Sequence, residues 1–125
     1  MEKPKVVVVD DDTDFLEEIE EVLRSKGYAV KTVSDPFAAI QVIKTTRPDA
    51  IMLDLQMNGK DGFQIAGELS GNAETAKIPV IAMTGYYTED ELRRLKESGV
   101  VRSFLTKPLA IPDVVAMLDE VQGTR

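Results

Sequence analysis

The stretch Val6 to Asp12, VVVVDDD, limits what this 125-residue chain can fold into more than any other. Four β-branched residues in a row suit a strand buried on both faces, as in a parallel sheet covered by helices on either side. Three carboxylates follow without a break. A buried strand that ends on such a cluster sets like charges side by side at the rim of a sheet. Two of them ~4 Å apart repel by about 4 kcal/mol at an effective dielectric of about 20. Solvent or a bound cation must meet that charge, and three later positions favour the cation.

The rest of the chain supplies the sheet. Residues 5–10 read as strand one. Asp12 or Asp14 can cap the next helix, where Phe15, Leu16, Ile19, Val22 and Leu23 form one apolar stripe and Glu17, Glu18, Glu20 and Glu21 a solvated face. Gly27 is placed to end that helix. Residues 28–33 alternate as a second, more exposed strand. Asp35-Pro36 reads as an N-cap with Pro at the first helical position, leading into Phe37, Ile40, Val42 and Ile43, and this helix ends before Pro48. Residues 49–55 are strand three, followed by the polar loop MNGKDG, in which Met57 packs, and a short helix over about 62–69. In that helix Gly67 costs roughly 1 kcal/mol relative to Ala. SGNAETAK is a loop, and residues 78–84 are strand four. Thr88 and Glu91 form a capping box for helix four, whose apolar content is little more than Leu92 and Leu95 and which Gly99 ends. Residues 100–105 are strand five. Pro112 opens a last helix with Val114, Val115, Met117, Leu118 and Val121. Strand and helix alternate five times, and parallel strands need such crossovers, so the expected fold is α/β: a doubly wound five-stranded parallel sheet, order 2-1-3-4-5, flavodoxin-like, with five helices on two faces. The chain is expected to be one domain, residues 1–125, with a structured core of about 5–121.

Composition narrows the chemistry. The chain is 43% apolar and 30% charged, with a net charge of −7 and neither Cys nor His. Acidity of this degree argues against direct nucleic-acid binding. Without thiol or imidazole, chemistry falls to carboxylates, Lys, Ser, Thr and Tyr. No apolar run approaches a membrane span, and MEKPK lacks the apolar region of a signal peptide, so the expected location is the cytoplasm.

In open α/β sheets, sites form beyond the carboxyl ends of the strands. Strand one delivers Asp10, Asp11 and Asp12 there, strand three Asp54, strand four Thr84, and strand five is followed by Lys107. Asp12 reads as the helix cap. Asp10, Asp11 and Asp54 are hard oxygen donors suited to Mg²⁺ that keeps several waters. Lys107 adds a compact positive charge and Thr84 a hydroxyl. Carboxylates, Mg²⁺, Lys and Thr together suit a phosphoryl group, with Asp54 as the nucleophile.

VVVVDDD, IMLDL, IAMTG and FLTKP stand in the order, and at roughly the spacing, of the receiver domains of bacterial response regulators, which the chain resembles over nearly its whole length. The resemblance implies a two-component signalling domain, not an enzyme. Asp54 would be the phosphoacceptor. Asp11 would bind Mg²⁺ directly, Asp10 largely through water, and the main-chain carbonyl of Gln56 would be the third protein ligand. Lys107 would pair with the phosphoryl oxygens, Thr84 would turn inward to bond them, and Phe104 would be the switch aromatic. A cis bond is implied within Thr106-Lys107-Pro108. The implied donors are a histidine kinase, a histidine phosphotransfer protein or acetyl phosphate. The responding face would be helix four, strand five and helix five, through which a dimer could form, and it would act on an output domain or protein the residues do not name.

The chain departs from that family in Met57-Asn58, where Met-Pro is common, which removes a φ constraint. It also carries one residue more than is typical between Gly99 and Lys107, for a bulge or a shifted strand to absorb. Phe104 lacks the hydroxyl of the commoner Tyr, and Gln56 and Tyr86 flank the site where the family tunes phosphoryl lifetime. Two rivals compete. One is a Mg²⁺-dependent phosphohydrolase with Asp10 as nucleophile and Asp12 as acid/base. The other is a flavin-binding protein, disfavoured because DDDTD would repel a phosphate in the absence of a metal.

Overall fold

The structure is a computed structural model that describes residues 3–85, 88–97, 99 and 101–123. Five strands, β1 (Lys5–Val9), β2 (Ala29–Val33), β3 (Ala50–Asp54), β4 (Val80–Thr84) and β5 (Val101–Thr106), form one sheet in the order β2-β1-β3-β4-β5, every pair parallel. Five helices connect and follow them: α1 (Thr13–Ser25), α2 (Ala39–Thr46), α3 (Gly62–Ser70), α4 (Glu89–Glu97) and α5 (Ile111–Gly123). The expected doubly wound sheet and its strand order are thus observed. β1 ends at Val9, one residue short of expectation, and β4 starts at Val80; Val100 lies outside the described residues.

Strand residues alternate between the two faces of a sheet, and along the three inner strands β1, β3 and β4 both faces are buried. Val7, Val9, Ile51, Leu53, Val80 and Ala82 face a core shared with Ile43, Ile65, Leu69 and Leu95 from α2, α3 and α4. Val6, Val8, Met52, Ile81 and Met83 face Leu16, Ile19 and Leu23 of α1 and Val114 and Leu118 of α5. The valine run is fully buried because each alternate side chain meets a different helical layer.

Local chemistry fixes the helix ends. Asp12, not Asp14, caps α1, accepting from the Phe15 N–H at 3.1 Å. Gly27 takes φ +96 beyond it. The Gly27 and Tyr28 N–H groups return to the Arg24 and Leu23 carbonyls, both at 3.1 Å, as a Schellman motif. Asp35 accepts from the Phe37 N–H at 2.9 Å, but Pro36–Ala38 form a 3₁₀ turn before α2 begins. That turn rotates Phe37 off the apolar stripe, so the ring is 68% exposed instead of joining the core.

The extra residue before Lys107 is absorbed as a bulge. Val80 pairs with Val101 but Ile81 with Ser103, which leaves Arg102 without a partner on β4. Register then holds to the strand end: Thr84 lies beside Thr106, and the Lys107 N–H donates to the Thr84 carbonyl at 2.9 Å. The Lys107–Pro108 bond is cis, as the family resemblance implied.

Candidate functional site

The carboxyl ends of β1, β3, β4 and β5 converge on a small acidic crevice. Asp10, just past β1, is fully buried, Asp54, the last residue of β3, is 3% exposed, and Thr84, the last of β4, is fully buried. Buried carboxylates require partners, and the backbone turns supply some of them. Asp10 Oδ1 accepts from the Asp12 N–H at 3.0 Å, and Asp54 Oδ1 from the Gln56 N–H at 3.0 Å. The other oxygens face Lys107, whose Nζ lies 2.6 Å from Asp10 Oδ2 and 3.4 Å from Asp54 Oδ2. Phe15 of α1 offers its ring face to the same ammonium, 5.0 Å from the centroid.

The charges do not balance within the protein. Asp10, Asp11 and Asp54 each bring a carboxylate oxygen to within 4.8 Å of the others, against the single Lys107 ammonium. Burial pushes the Asp54 carboxyl up to about 6; the neighbouring Asp10 adds to this, while the Gln56 N–H and Lys107 oppose it. Burial works against the Lys107 ammonium, but the hydrogen bond and charge of Asp10, joined by Asp54, outweigh it and raise its pKa above the usual lysine value. Three oxygen donors with uncompensated charge and no sulfur or nitrogen ligand fit a metal ion of the hard, oxygen-seeking class.

Asp10, Asp11, Asp54 and Lys107 are therefore brought together as expected, with Thr84 at the adjacent strand end. Gln56 follows Asp54 in the loop. Phe104 stands further back on β5, beside Ala82, half-buried against the core, with Lys96 of α4 5.8 Å above its ring. Met57 is buried, as expected of loop packing. Tyr86 lies outside the described residues. Asp12 is committed to its cap.

Sequence reasoning missed three groups at the site. The Asn58 backbone N–H donates to Asp11 Oδ2 at 2.9 Å. Phe15 reaches Lys107, although its place in an apolar stripe marked it for the core. Gly62 opens α3 hard against β3, where a Cβ would drive into the Asp54 carbonyl. A Gly at a helix start beside a strand-ending Asp was the one available signal.

Comparison with known proteins agrees with this arrangement. The family model described as "Response regulator receiver domain" matches residues 6–119. Transcriptional regulatory protein PrrA of Mycobacterium leprae is 35% identical over 90% of this chain and 47% of its own length, and the sensor histidine kinase GacS of Pseudomonas protegens is 33% identical over 86% of this chain and 12% of its own. The chain spans about half the length of the PrrA and MprA relatives it matches. Among solved structures, the signal receiver domain of a DNA-binding response regulator from Colwellia psychrerythraea superimposes with a TM-score of 0.85 at 31% identity, covering 94% of this chain and 97% of that one. No helix among the described residues is long and apolar enough to cross a membrane.

Proposed function

Since the chain belongs to the response regulator receiver domain family, we propose that it is a phosphorylation switch whose Asp54 takes a phosphoryl group from a histidine kinase or a histidine phosphotransfer protein. The observation that carries this is the meeting of Asp54 with Lys107 and Asp10 in one buried crevice, 53 and 44 residues away in sequence. In the transfer, an Asp54 carboxylate oxygen attacks phosphorus. The new O–P bond forms as the P–N bond to the donor imidazole breaks, and the leaving nitrogen keeps the electron pair and takes a proton from water. Lys107, already 3.4 Å from Asp54 Oδ2, is within reach of the phosphoryl oxygens, and Thr84 presents the hydroxyl on the neighbouring strand end. Asp10, Asp11, Asp54 and the Gln56 main-chain carbonyl are the proposed Mg²⁺ ligands. When bound, Mg²⁺ supplies the charge neutralisation that phosphoryl transfer chiefly requires.

The acquired charge, about −2 at neutral pH, draws on Thr84 and Lys107, which sit at the ends of β4 and β5. Phe104 is the proposed switch aromatic, and the face of α4, β5 and α5 is the one proposed to change its affinity for an output domain or protein, or for a second receiver. The chain is thus proposed as a single receiver domain of the cytoplasm. The match within a sensor histidine kinase supports a donor of that class.

The phosphohydrolase rival loses ground on geometry: Asp12, its acid/base, caps α1, and Lys107 Nζ holds Asp10 Oδ2 more closely, at 2.6 Å, than it does Asp54 Oδ2, at 3.4 Å. Labelling with beryllofluoride or acetyl phosphate in Mg²⁺ decides between the two. Asp54→Ala is expected to abolish adduct formation, whereas an adduct that survives in Asp54→Ala and vanishes in Asp10→Ala would establish the rival.

A further inference from the structure

The loop after β3 is fastened to the end of β1 by the hydrogen bond from the Asn58 N–H to Asp11 Oδ2. The partners are 47 residues apart and meet because β1 and β3 are neighbours, Val9 beside Leu53. The loop is pinned on its other sides as well. The Gln56 N–H holds Asp54 Oδ1, Met57 is buried, and Gly59, at φ +91, lies under the Phe37 ring. Asn58 is also the position where the chain departs from a common Met-Pro, and a prolyl residue would have no hydrogen to donate.

We infer that the Asn58 backbone N–H is a positioning group for the cation site, holding Asp11 and the Gln56 segment against each other before any cation arrives. The inference rests on the proposal that Asp10, Asp11, Asp54 and the Gln56 carbonyl bind Mg²⁺. A freely rotating Asp11 and an untethered loop would both have to be ordered on binding, and ordering opposes affinity. Here that ordering is completed in folding. Asp11 Oδ1 and the second lone pair of Oδ2 remain for a cation. The donor is a main-chain group, so the Asn58 side chain itself is dispensable.

Mg²⁺ titration of the wild type, Asn58→Ala and Asn58→Pro, followed by calorimetry and amide NMR, tests this. Asn58→Ala keeps the N–H and is expected to bind as the wild type does. Asn58→Pro lacks it and is expected to bind roughly tenfold more weakly, the scale of one hydrogen bond to an ionised acceptor. A folded Asn58→Pro protein with wild-type affinity would overturn the inference. A second arm needs neither proline nor metal: the Asn58 amide proton of the metal-free protein is expected downfield of its position in Asp11→Ala. An unmoved resonance would overturn the inference even if Asn58→Pro failed to fold. A wild type that takes up no Mg²⁺ overturns the site proposal and the inference with it, whereas loss of the Asn58 effect alone leaves the site proposal intact.

Discussion

Helices α1 and α4 start alike and are held very differently. Each opens on a side-chain cap that accepts from the N–H three residues on, Asp12 from Phe15 at 3.1 Å and Thr88 from Glu91 at 3.2 Å, and each is acidic in its first turn. α1 then buries Leu16, Ile19 and Leu23 and closes in a Schellman motif, whereas α4 buries Leu95 alone. Caps decide where a helix begins; buried apolar area decides how firmly it stays. The crevice lies between these two regimes. Asp10 and Asp11 adjoin the firm side, and Thr84 and β5 adjoin the side held by few contacts. On the proposed phosphorylation of Asp54, α4 is the element expected to move, with β1 and α1 left in place.

The largest expected effect tests the firm side. Leu23→Ala, at a fully buried position, should lower global stability by about 3 kcal/mol in urea unfolding, the usual cost of emptying a core site. Leu95→Ala should cost less globally and speed amide exchange over residues 89–97, leaving the α1 amides unchanged. Equal global losses, with no local opening in α4, would erase the contrast.

Between the two sides sits Asp54, and its effect should be the next largest. Its carboxyl titrates near 6 in the folded protein without metal, above its unfolded value. The native state therefore holds the extra proton, and stability falls as pH rises from about 4 to about 6, the penalty being complete above that window. In metal-free buffer, Asp54→Asn is expected to match the wild type near pH 4 and to exceed it by about 2 kcal/mol at pH 7.5. Mg²⁺ should then stabilise the wild type by mass action and close most of that gap. Thermal or urea unfolding across pH, with and without Mg²⁺, measures both. A gap independent of pH would mean that the crevice carries no strain from its charges.

The same contrast explains how much was legible beforehand. Strand ends and helix stripes on the firm side announce themselves, because buried Val, Ile and Leu at periods of 2 and 3.6 have few other uses. The polar strand-end residues Asp10, Asp11, Asp54, Thr84 and Lys107 were visible for the same reason: they interrupt or follow apolar runs. What stayed hidden was set by backbone geometry. Counting residues to Lys107 revealed one too many but not that Arg102 would bulge, since nothing in VVRSFLT marks the place. Phe37 fits a helical period, but the 3₁₀ turn behind Pro36 has a different one, and the ring points outward. The Asp61–Gln64 capping box lay inside a stretch assigned to a loop and a helix start, and the buried Thr75, bonded to the Leu69 carbonyl at 2.7 Å, inside a polar loop. A main-chain donor such as the Asn58 N–H leaves no trace in the sequence beyond the absence of proline.

The smallest expected effect probes a contact on the α4 side. Lys96 of α4 stands 5.8 Å over the Phe104 ring, near the outer limit for a cation–π contact, worth about 0.5 kcal/mol at an exposed site. Phe104 has no hydroxyl with which to bond α4, and this ammonium ties the helix to β5 through the ring face instead. Lys96→Met should change global stability by no more than about 0.5 kcal/mol, shift the Phe104 ring resonances, and speed exchange in α4 less than Leu95→Ala does. Lys96→Arg, which keeps a cation that stacks on aromatic rings, should restore the ring shifts. A Lys96→Met protein that loses as much global stability as Leu23→Ala would mean that α4 is anchored as firmly as α1, and the switching face would have to be sought elsewhere on the molecule.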